Sequence, residues 1–121
     1  MKKAIVFLIL SIVISCGNID SYPPVVTIKS PPDGSIFFVG DTVEIEAQIL
    51  DLDKNTDQIT YIIDDNTMEH CDHYPCIYYW KTEEYRVGEH KIKVRAIDLD
   101  QRTGKDEITI ILKEPAKKVT D

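Results

Sequence analysis

Hydrophobic and polar residues alternate along most of this chain, and a period of two is typical of β-strands with one buried face. Segment 42–50 shows it most clearly, because every second residue from Val43 to Ile49 is apolar. The same alternation returns in three later segments, 59–63, 90–96 and 107–112. Nothing between Val25 and Leu112 has the apolar spacing that predicts a helix.

Short clusters of turn-forming residues separate the alternating segments. They stand at 31–34, 39–41, 64–66, 87–89 and 102–104, and their glycine, proline, asparagine and aspartate residues favour tight turns. The pattern predicts strands at 25–29, 42–50, 58–64, 66–70, 77–81, 90–98 and 106–113. About seven short strands, each with one polar face, indicate an all-β fold: a single antiparallel β-sandwich over residues 25–113.

The alternation also predicts which large side chains face the core. Those expected inside are Phe37, Tyr61, Tyr78, Trp80 and His90, the last half-buried with a ring nitrogen satisfied. Those expected outside are Ile36, Phe38, Ile62, Ile77 and Tyr79. Exposed aromatic and aliphatic side chains can anchor a partner, so Ile36, Phe38 and Tyr79 are candidate partner-binding residues. Scattered apolar residues are also normal on protein surfaces, and that alternative stays open.

Residues 1–16 have a different pattern. Lys2 and Lys3 precede an uncharged stretch, 4–15, that is shorter than the roughly 20 apolar residues needed to span a membrane. This arrangement is typical of an export signal. The tetrapeptide Val-Ile-Ser-Cys at 13–16 resembles the lipobox of bacterial lipoproteins. The resemblance implies cleavage before Cys16 and lipid, such as palmitate, on Cys16; the alternative is an ordinary secretory signal with a cysteine nearby.

This interpretation divides the chain into four parts. Residues 1–15 are the expected signal peptide, and 16–24 are the lipidated cysteine and a short tether. The sandwich occupies 25–113, and the charged segment 114–121 is expected to be a disordered tail. The lipid, and no protein segment, would then hold the mature chain at the membrane.

Charge excludes some partners. Acidic residues outnumber basic ones by 21 to 14, for a formal net charge of −7. An acidic chain without a basic face argues against nucleic-acid binding. It also argues against attachment to anionic lipid by charge alone, so an anchor on Cys16 is needed for membrane attachment.

Cys71 and Cys76 form an even pair in a chain that is expected to be exported, and this predicts a disulfide that closes a short loop. The same loop carries His70, Asp72 and His73. Sulfur and imidazole ligands suit zinc or copper, so a transition-metal site is one alternative and free thiols are another. A structural zinc site usually draws on two separated ligand pairs, and no second pair exists in the sequence.

The segment expected to be exported resembles the bacterial immunoglobulin-like domains of secreted and surface proteins. The matching segments, in order, are 24–31, 33–34, 39–43, 51–53, 61–64, 78–80 and 88–98. The resemblance implies an immunoglobulin-like sandwich in which the tether and the loops near 51–57, 71–76 and 99–105 share one end. The chain departs from the family at 69–76, usually a plain polar loop, and at His90, usually an aromatic residue.

Two of these loops are rich in acidic residues. Asp51, Asp53 and Asp57 alternate along one of them, and Asp98 and Asp100 stand at the other. Carboxylates converging from two loops suit Ca²⁺, so these five residues are the candidate metal ligands and calcium the one candidate cofactor. The alternative is that the carboxylates only solvate the loops.

No segment matches a nucleophile elbow, a phosphate-binding loop or a zinc-protease helix, so catalysis is not expected. The predicted function is that of a lipid-anchored cell-envelope protein acting as a non-catalytic binding module for a protein or glycan partner. The alternatives are a structural spacer or accessory subunit of an envelope complex, and a calcium- or transition-metal-binding lipoprotein. Gly17 stands where inner-membrane lipoproteins resembling this one carry aspartate, which favours the outer membrane or cell surface.

Overall fold

The computed structural model describes residues 22–116. The predicted signal peptide and Cys16 lie outside the described residues, as do 17–21 of the tether and 117–121 of the tail. Within the described part, no helix is long and apolar enough to cross a membrane.

Eight strands form two sheets. They are β1 Val25–Ser30, β2 Ile36–Phe38, β3 Thr42–Leu50, β4 Thr56–Ile63, β5 Asn66–Cys71, β6 Ile77–Lys81, β7 Gly88–Asp98 and β8 Thr103–Lys113. One sheet has the order β1-β3-β6 and the other β2-β8-β7-β4-β5. The predicted all-β sandwich is therefore confirmed, and β5 and β6 are edge strands of opposite sheets.

The predicted strand list was wrong in one element. β2 was not foreseen, because three consecutive bulky residues, Ile36–Phe38, are too short to show alternation. It pairs with β8 in parallel, with Ile36 opposite Ile111 and Phe38 opposite Lys113, so the sandwich is not wholly antiparallel. β7 and β8 are also longer than predicted, because their pairing extends to Gly88, opposite Leu112, and to Thr103, opposite Ile97.

The core lies between the two sheets and follows the alternation on β3 and β7. Its largest fully buried side chains are Trp80, Tyr61, Ile45, Ile63, Ile92, Ile110 and Leu112. Burial of one such side chain contributes roughly 1.5–3 kcal/mol, so this set supplies the main driving force for folding. Phe37 and Tyr78, predicted inside, are only half-buried because they lie on edge strands.

Ile62 was predicted to face outward, and this was wrong: it is only 8% exposed. The pairing of β4 with β5 shifts register between Tyr61 and Ile62, which marks a bulge. Lys93 of β7 lies directly opposite Ile62, and only 25% of its side chain is exposed. The aliphatic stem of Lys93 can thus cover Ile62 while its ammonium stays in water.

The chain enters the sandwich at the end that carries the acidic loops. The pairs at this end are Val25 with Leu50, Thr56 with Asp98, and Ile59 with Cys71. The amide of Tyr22 donates to the Asp53 carboxylate at 3.1 Å, and Pro24 is fully buried. We call this the entry end; the opposite end carries the turns at 64–65 and 82–87. These registers agree with the predicted grouping of loops.

Candidate functional site

The three predicted partner-binding residues are exposed but do not lie together. Ile36 is 51% exposed and Phe38 45%, both on β2 at the edge of the five-stranded sheet. Tyr79 is 55% exposed and lies on β6, the edge of the other sheet. Their outward orientation agrees with the alternation, but the structure separates them into two surfaces.

Tyr79 borders a surface hollow between the edge strands β5 and β6. Its lining residues, which define the tyrosine hollow, are Met68, Tyr78, Tyr79, Lys81, Glu83, Glu84 and Tyr85. The hollow has a volume of about 350 Å³. It exists because neither β5 nor β6 has a further strand beside it, so the space between the two sheets is not covered on this side.

Ring packing fixes two of the tyrosines in the hollow. The Tyr85 ring meets Trp80 edge-on, with 4.9 Å between centroids, and lies 5.6 Å from His90. The Tyr78 ring lies 5.6 Å from that of Tyr61. Edge-on and tilted contacts are the favoured geometry of aromatic pairs, so these rings are held by the core.

Burial raises the pKa of two tyrosine hydroxyls, those of Tyr61 and Tyr78. It raises the pKa of Tyr61 to about 12, with smaller contributions from the negative charges of Glu69 and Glu46. Burial also raises the pKa of Tyr78, helped by Tyr85 and Glu69. Both hydroxyls therefore stay protonated at neutral pH. The Tyr61 hydroxyl donates to the carbonyl oxygen of Cys76.

His90 lies behind the hollow. It faces inward as the alternation predicted, but it is buried, 8% exposed, and not half-buried. Its Nε2 lies 2.7 Å from the carbonyl oxygen of Arg86, and its Nδ1 lies 2.5 Å from a carboxylate oxygen of Asp64. Each ring nitrogen therefore has a hydrogen-bonding partner within the fold. The other oxygen of Asp64 accepts from the amide of Lys91 at 2.9 Å. No nucleophile hydrogen-bonds to this pair among the described residues, so the arrangement ties the turn after β4 to β7.

The acidic residues of the entry end mostly accept hydrogen bonds from their own loops. One oxygen of Asp51 accepts from the amide and the hydroxyl of Thr56, at 2.5 and 2.6 Å. Burial by itself raises the pKa of Asp51, but hydrogen bonds from Thr56, Asn55 and Asp53 outweigh it and hold the pKa below its ordinary value. Asp51 therefore shapes the turn that leads into β4.

Asp98 has a similar role in the second loop. It is fully buried, and its Oδ1 accepts from the amides of Asp100 and Arg102 at 2.9 and 2.8 Å. Asp57, predicted to lie in a loop, instead lies on β4. Within residues 22–116, no three His, Cys, Asp or Glu side chains converge as metal ligands would. The calcium site stays a prediction. The observed contacts account for Asp51 without it, but Asp98 Oδ2 is buried with no hydrogen-bond partner among the described residues.

Cys71 and Cys76 lie within disulfide-bonding distance, with 6.5 Å between their Cα atoms, which supports the predicted disulfide. The histidines of this segment point to other partners. His70 Nδ1 lies 2.9 Å from the Thr60 hydroxyl, and His73 Nδ1 lies 3.2 Å from Asp72. The imidazoles therefore do not join the two sulfurs in one ligand set.

Comparison with known sequences identifies the family. The family described as "Bacterial Ig domain" matches residues 24–94, which is more than half of the chain. This chain belongs to the bacterial Ig domain family. No curated protein matches it.

Solved structures share the fold of this bacterial Ig domain. The fibronectin(III)-like modules of Clostridium thermocellum CbhA have a TM-score of 0.67 and 24% identity, covering 76% of this chain and 47% of that one. The PKD1 domain of Vibrio anguillarum Epp has a TM-score of 0.57 and 16% identity, covering 78% and 99%. SGBP-B of Bacteroides ovatus, solved with a mixed-linkage heptasaccharide, has a TM-score of 0.54 and 14% identity, covering 78% and 27%. This chain thus spans about half of the CbhA chain and less of SGBP-B.

The sequence pattern missed most of the tyrosine hollow. It predicted Tyr79 at the surface but assigned Tyr78 to the core, and it singled out neither Tyr85 nor Met68. The cluster Tyr-Tyr-Trp followed by Lys81, Glu83 and Glu84 was the available signal. It could not be recognised without knowing that this bacterial Ig domain leaves β5 and β6 open at the same side.

Proposed function

We propose that this chain is a non-catalytic binding module of the cell envelope, held at the membrane by lipid on Cys16. Membership of the bacterial Ig domain family supports an extracellular or surface location and a binding role. A protein or a glycan is the proposed partner. SGBP-B, which shares the fold, was solved with an oligosaccharide.

The observation that carries the binding role is the exposure of large apolar side chains on rigid strands. Ile36 and Phe38 keep about half of their surface in water although β2 is fixed by pairing with β8. The Phe38 amide also donates to Asp41 at 2.8 Å, which holds the turn that follows. Fixed apolar side chains can bind a partner without the entropy loss that a mobile loop would suffer.

The lipid anchor gives this surface an orientation. The chain enters beside Asp53, so lipid on Cys16 would hold the entry end near the membrane. Phe38 pairs with Lys113 at the far end of β8. A partner approaching from outside would meet this far end first.

Membrane fractionation of the full chain tests the anchor. Cys16→Ala is expected to move the protein from the membrane fraction to the soluble fraction, while Cys71→Ala, the matched control, leaves it membrane-bound. A Cys16→Ala chain that is still held in the membrane would overturn the lipid anchor.

Partner recovery by crosslinking in cells tests the binding surface. Phe38→Ala is expected to reduce recovery of the partner, whereas Leu52→Ala, which removes a 65% exposed side chain at the entry end, is expected to leave it unchanged. Equal recovery with both variants would remove Phe38 from the binding surface.

The other predicted roles, an envelope spacer or accessory subunit and a metal-binding lipoprotein, stay predictions. Thermal melts in EDTA, calcium and zinc separate the last of these from the proposed function. A melting temperature raised by calcium and lost on Asp51→Asn or Asp98→Asn would establish the metal-binding role. Identical melts in all three conditions would exclude it.

A further inference from the structure

The tyrosine hollow is a second candidate surface, distinct from Ile36 and Phe38. It is concave, and its volume of about 350 Å³ falls in the range of small-molecule sites, about 300–1,000 Å³. Tyr79, Glu83 and Glu84 lie at the rim of the hollow, and their side chains are exposed and not part of the core. We infer that the tyrosine hollow binds a neutral oligosaccharide, with a sugar ring against Tyr79 and hydroxyl groups bonded by the charged rim. This inference rests on the proposed function, because it names a ligand class and a site for the binding module.

The aromatic walls suit the flat face of a sugar ring. A pyranose presents axial C–H groups on its faces and hydroxyls around its edge, so it needs an apolar surface beside polar groups. Tyr79 offers an exposed ring, 55% accessible. Tyr78 and Tyr85 are fixed from behind by Tyr61 and Trp80. A wall that is already ordered loses little side-chain entropy when a ligand binds.

The polar groups of the hollow include both donors and acceptors. Lys81 contributes an ammonium, and Glu83 and Glu84 contribute carboxylates. Within residues 22–116, none of the three takes part in an ion pair. The Tyr85 hydroxyl has only a weak contact, 3.7 Å from the sulfur of Met68. These groups are available to a ligand.

This mixture of charges selects the class of ligand. A sugar hydroxyl both donates and accepts, so it can use the carboxylates and the ammonium together. The two carboxylates outnumber the ammonium, so an anionic sugar would be repelled, whereas an organic cation would pair with Glu83 and Glu84 but leave Lys81 without a partner. A neutral polyhydroxyl ligand has neither conflict.

A peptide strand added to the open edge of β6 is the rival occupant. Lys81 is an exposed residue of that edge strand, and lysine on an edge strand opposes strand addition. The edge is also short, five residues in β6, which leaves few backbone groups for strand addition. The hollow therefore fits a compact ring better than an extended chain.

Binding of the full chain, purified in detergent, to an array of neutral oligosaccharides tests the inference. The array spans glucose, mannose, xylose, galactose and N-acetylglucosamine polymers, with polygalacturonate fragments as the anionic class and oligolysine as a peptide probe. The wild-type chain is expected to bind at least one neutral class and neither charged probe. Tyr79→Ala is expected to weaken that binding at least tenfold, and Tyr79→Phe, which keeps the ring, to change it less than threefold.

Two further variants locate the site. Leu52→Ala, which removes a 65% exposed side chain at the entry end, is expected to leave sugar affinity unchanged, and Glu84→Gln to weaken it by a smaller factor than Tyr79→Ala. All these residues are exposed, so the variants are expected to melt within a few degrees of the wild type. Absence of binding to every neutral sugar, equal affinity for Tyr79→Ala, or capture of oligolysine instead would overturn the inference. If partner recovery still depended on Phe38, the proposed binding function would stand without the sugar site.

Discussion

A close approach between two parts of the backbone, at Gly104, gives a sharp test of the structure. Gly104 lies on β8, and a Cβ atom placed on it would stand 1.7 Å from the carbonyl oxygen of Pro24 and 2.8 Å from its carbonyl carbon. Both are backbone atoms of a fully buried residue, so no side-chain rotation can relieve the overlap. Gly104→Ala must therefore separate the entering chain from β8.

The size of the effect follows from that distance. An ordinary contact between these atoms needs about 3.4 Å, so the backbones must move apart by about 1.7 Å. Overpacking of this kind costs about 1–3 kcal/mol, and the lower entropy of an unfolded chain with alanine returns about 0.5 kcal/mol. We expect a net loss of about 1.5 kcal/mol, or a fall in Tm of roughly 6 to 12 °C for a domain of this size.

Urea unfolding of a soluble chain that begins at Tyr22 measures this loss. Thr103→Ala, an exposed neighbour on the same strand, is the matched control and is expected to change stability by less than about 0.5 kcal/mol. In a chain that begins at Val25 the Pro24 carbonyl is gone, so Gly104→Ala is expected to cost less than about 0.5 kcal/mol there. Equal costs in the two chains, or no cost in the longer one, would refute the steric reasoning.

Three other perturbations have defined outcomes. Asp64→Ala removes the hydrogen-bond partner of His90 and is expected to lower the free energy of unfolding by about 2 kcal/mol. Asp64→Asn keeps a polar side chain and tolerates the positive φ of 48°, so it is expected to cost less than about 1 kcal/mol. Equal losses of stability in urea unfolding would contradict this. The folded-state pKa of Asp51 is held below its ordinary value of 3.8, so its ionised form stabilises the fold above that pH and the contribution disappears as pH falls through the folded-state pKa. Asp51→Asn is therefore expected to flatten the acid side of the stability curve, and an unchanged curve would show that these hydrogen bonds contribute nothing. The double variant Cys71→Ala and Cys76→Ala opens the short loop and is expected to lower the free energy of unfolding by about 2 kcal/mol. Two reactive thiols in a non-reducing mass measurement of the wild type would contradict the disulfide.

Local sequence was enough to predict the elements whose burial alternates. On β3 and β7 the inward positions are apolar except for His90 and Asp98, and this alternation predicts a strand with one buried face. The turns between them carry residues with special backbone preferences, including Gly34, Gly40 and Gly88 at positive φ. These local signals agree with one another, which is why the sandwich and most strand bounds could be predicted.

The errors occurred where a distant part of the chain determines the outcome. β2 exists because β8 supplies a partner more than 70 residues away in sequence, and Ile62 is buried because a bulge and Lys93 cover it. Neither partner can be read from the segment itself, since strand pairing and side-chain covering are long-range contacts.

The sequence by itself determined the period of the strands, the positions of the turns, the pairing expected of Cys71 and Cys76, and the signal-like segment that ends at Cys16. Those properties depend on residues close together in the chain. Only the tertiary structure decided that Tyr79 lies apart from Phe38, and that Tyr78, Tyr85 and Met68 meet in one hollow. The physical reason is that sheet order sets which edges are left open, and sheet order follows from contacts between residues far apart in sequence.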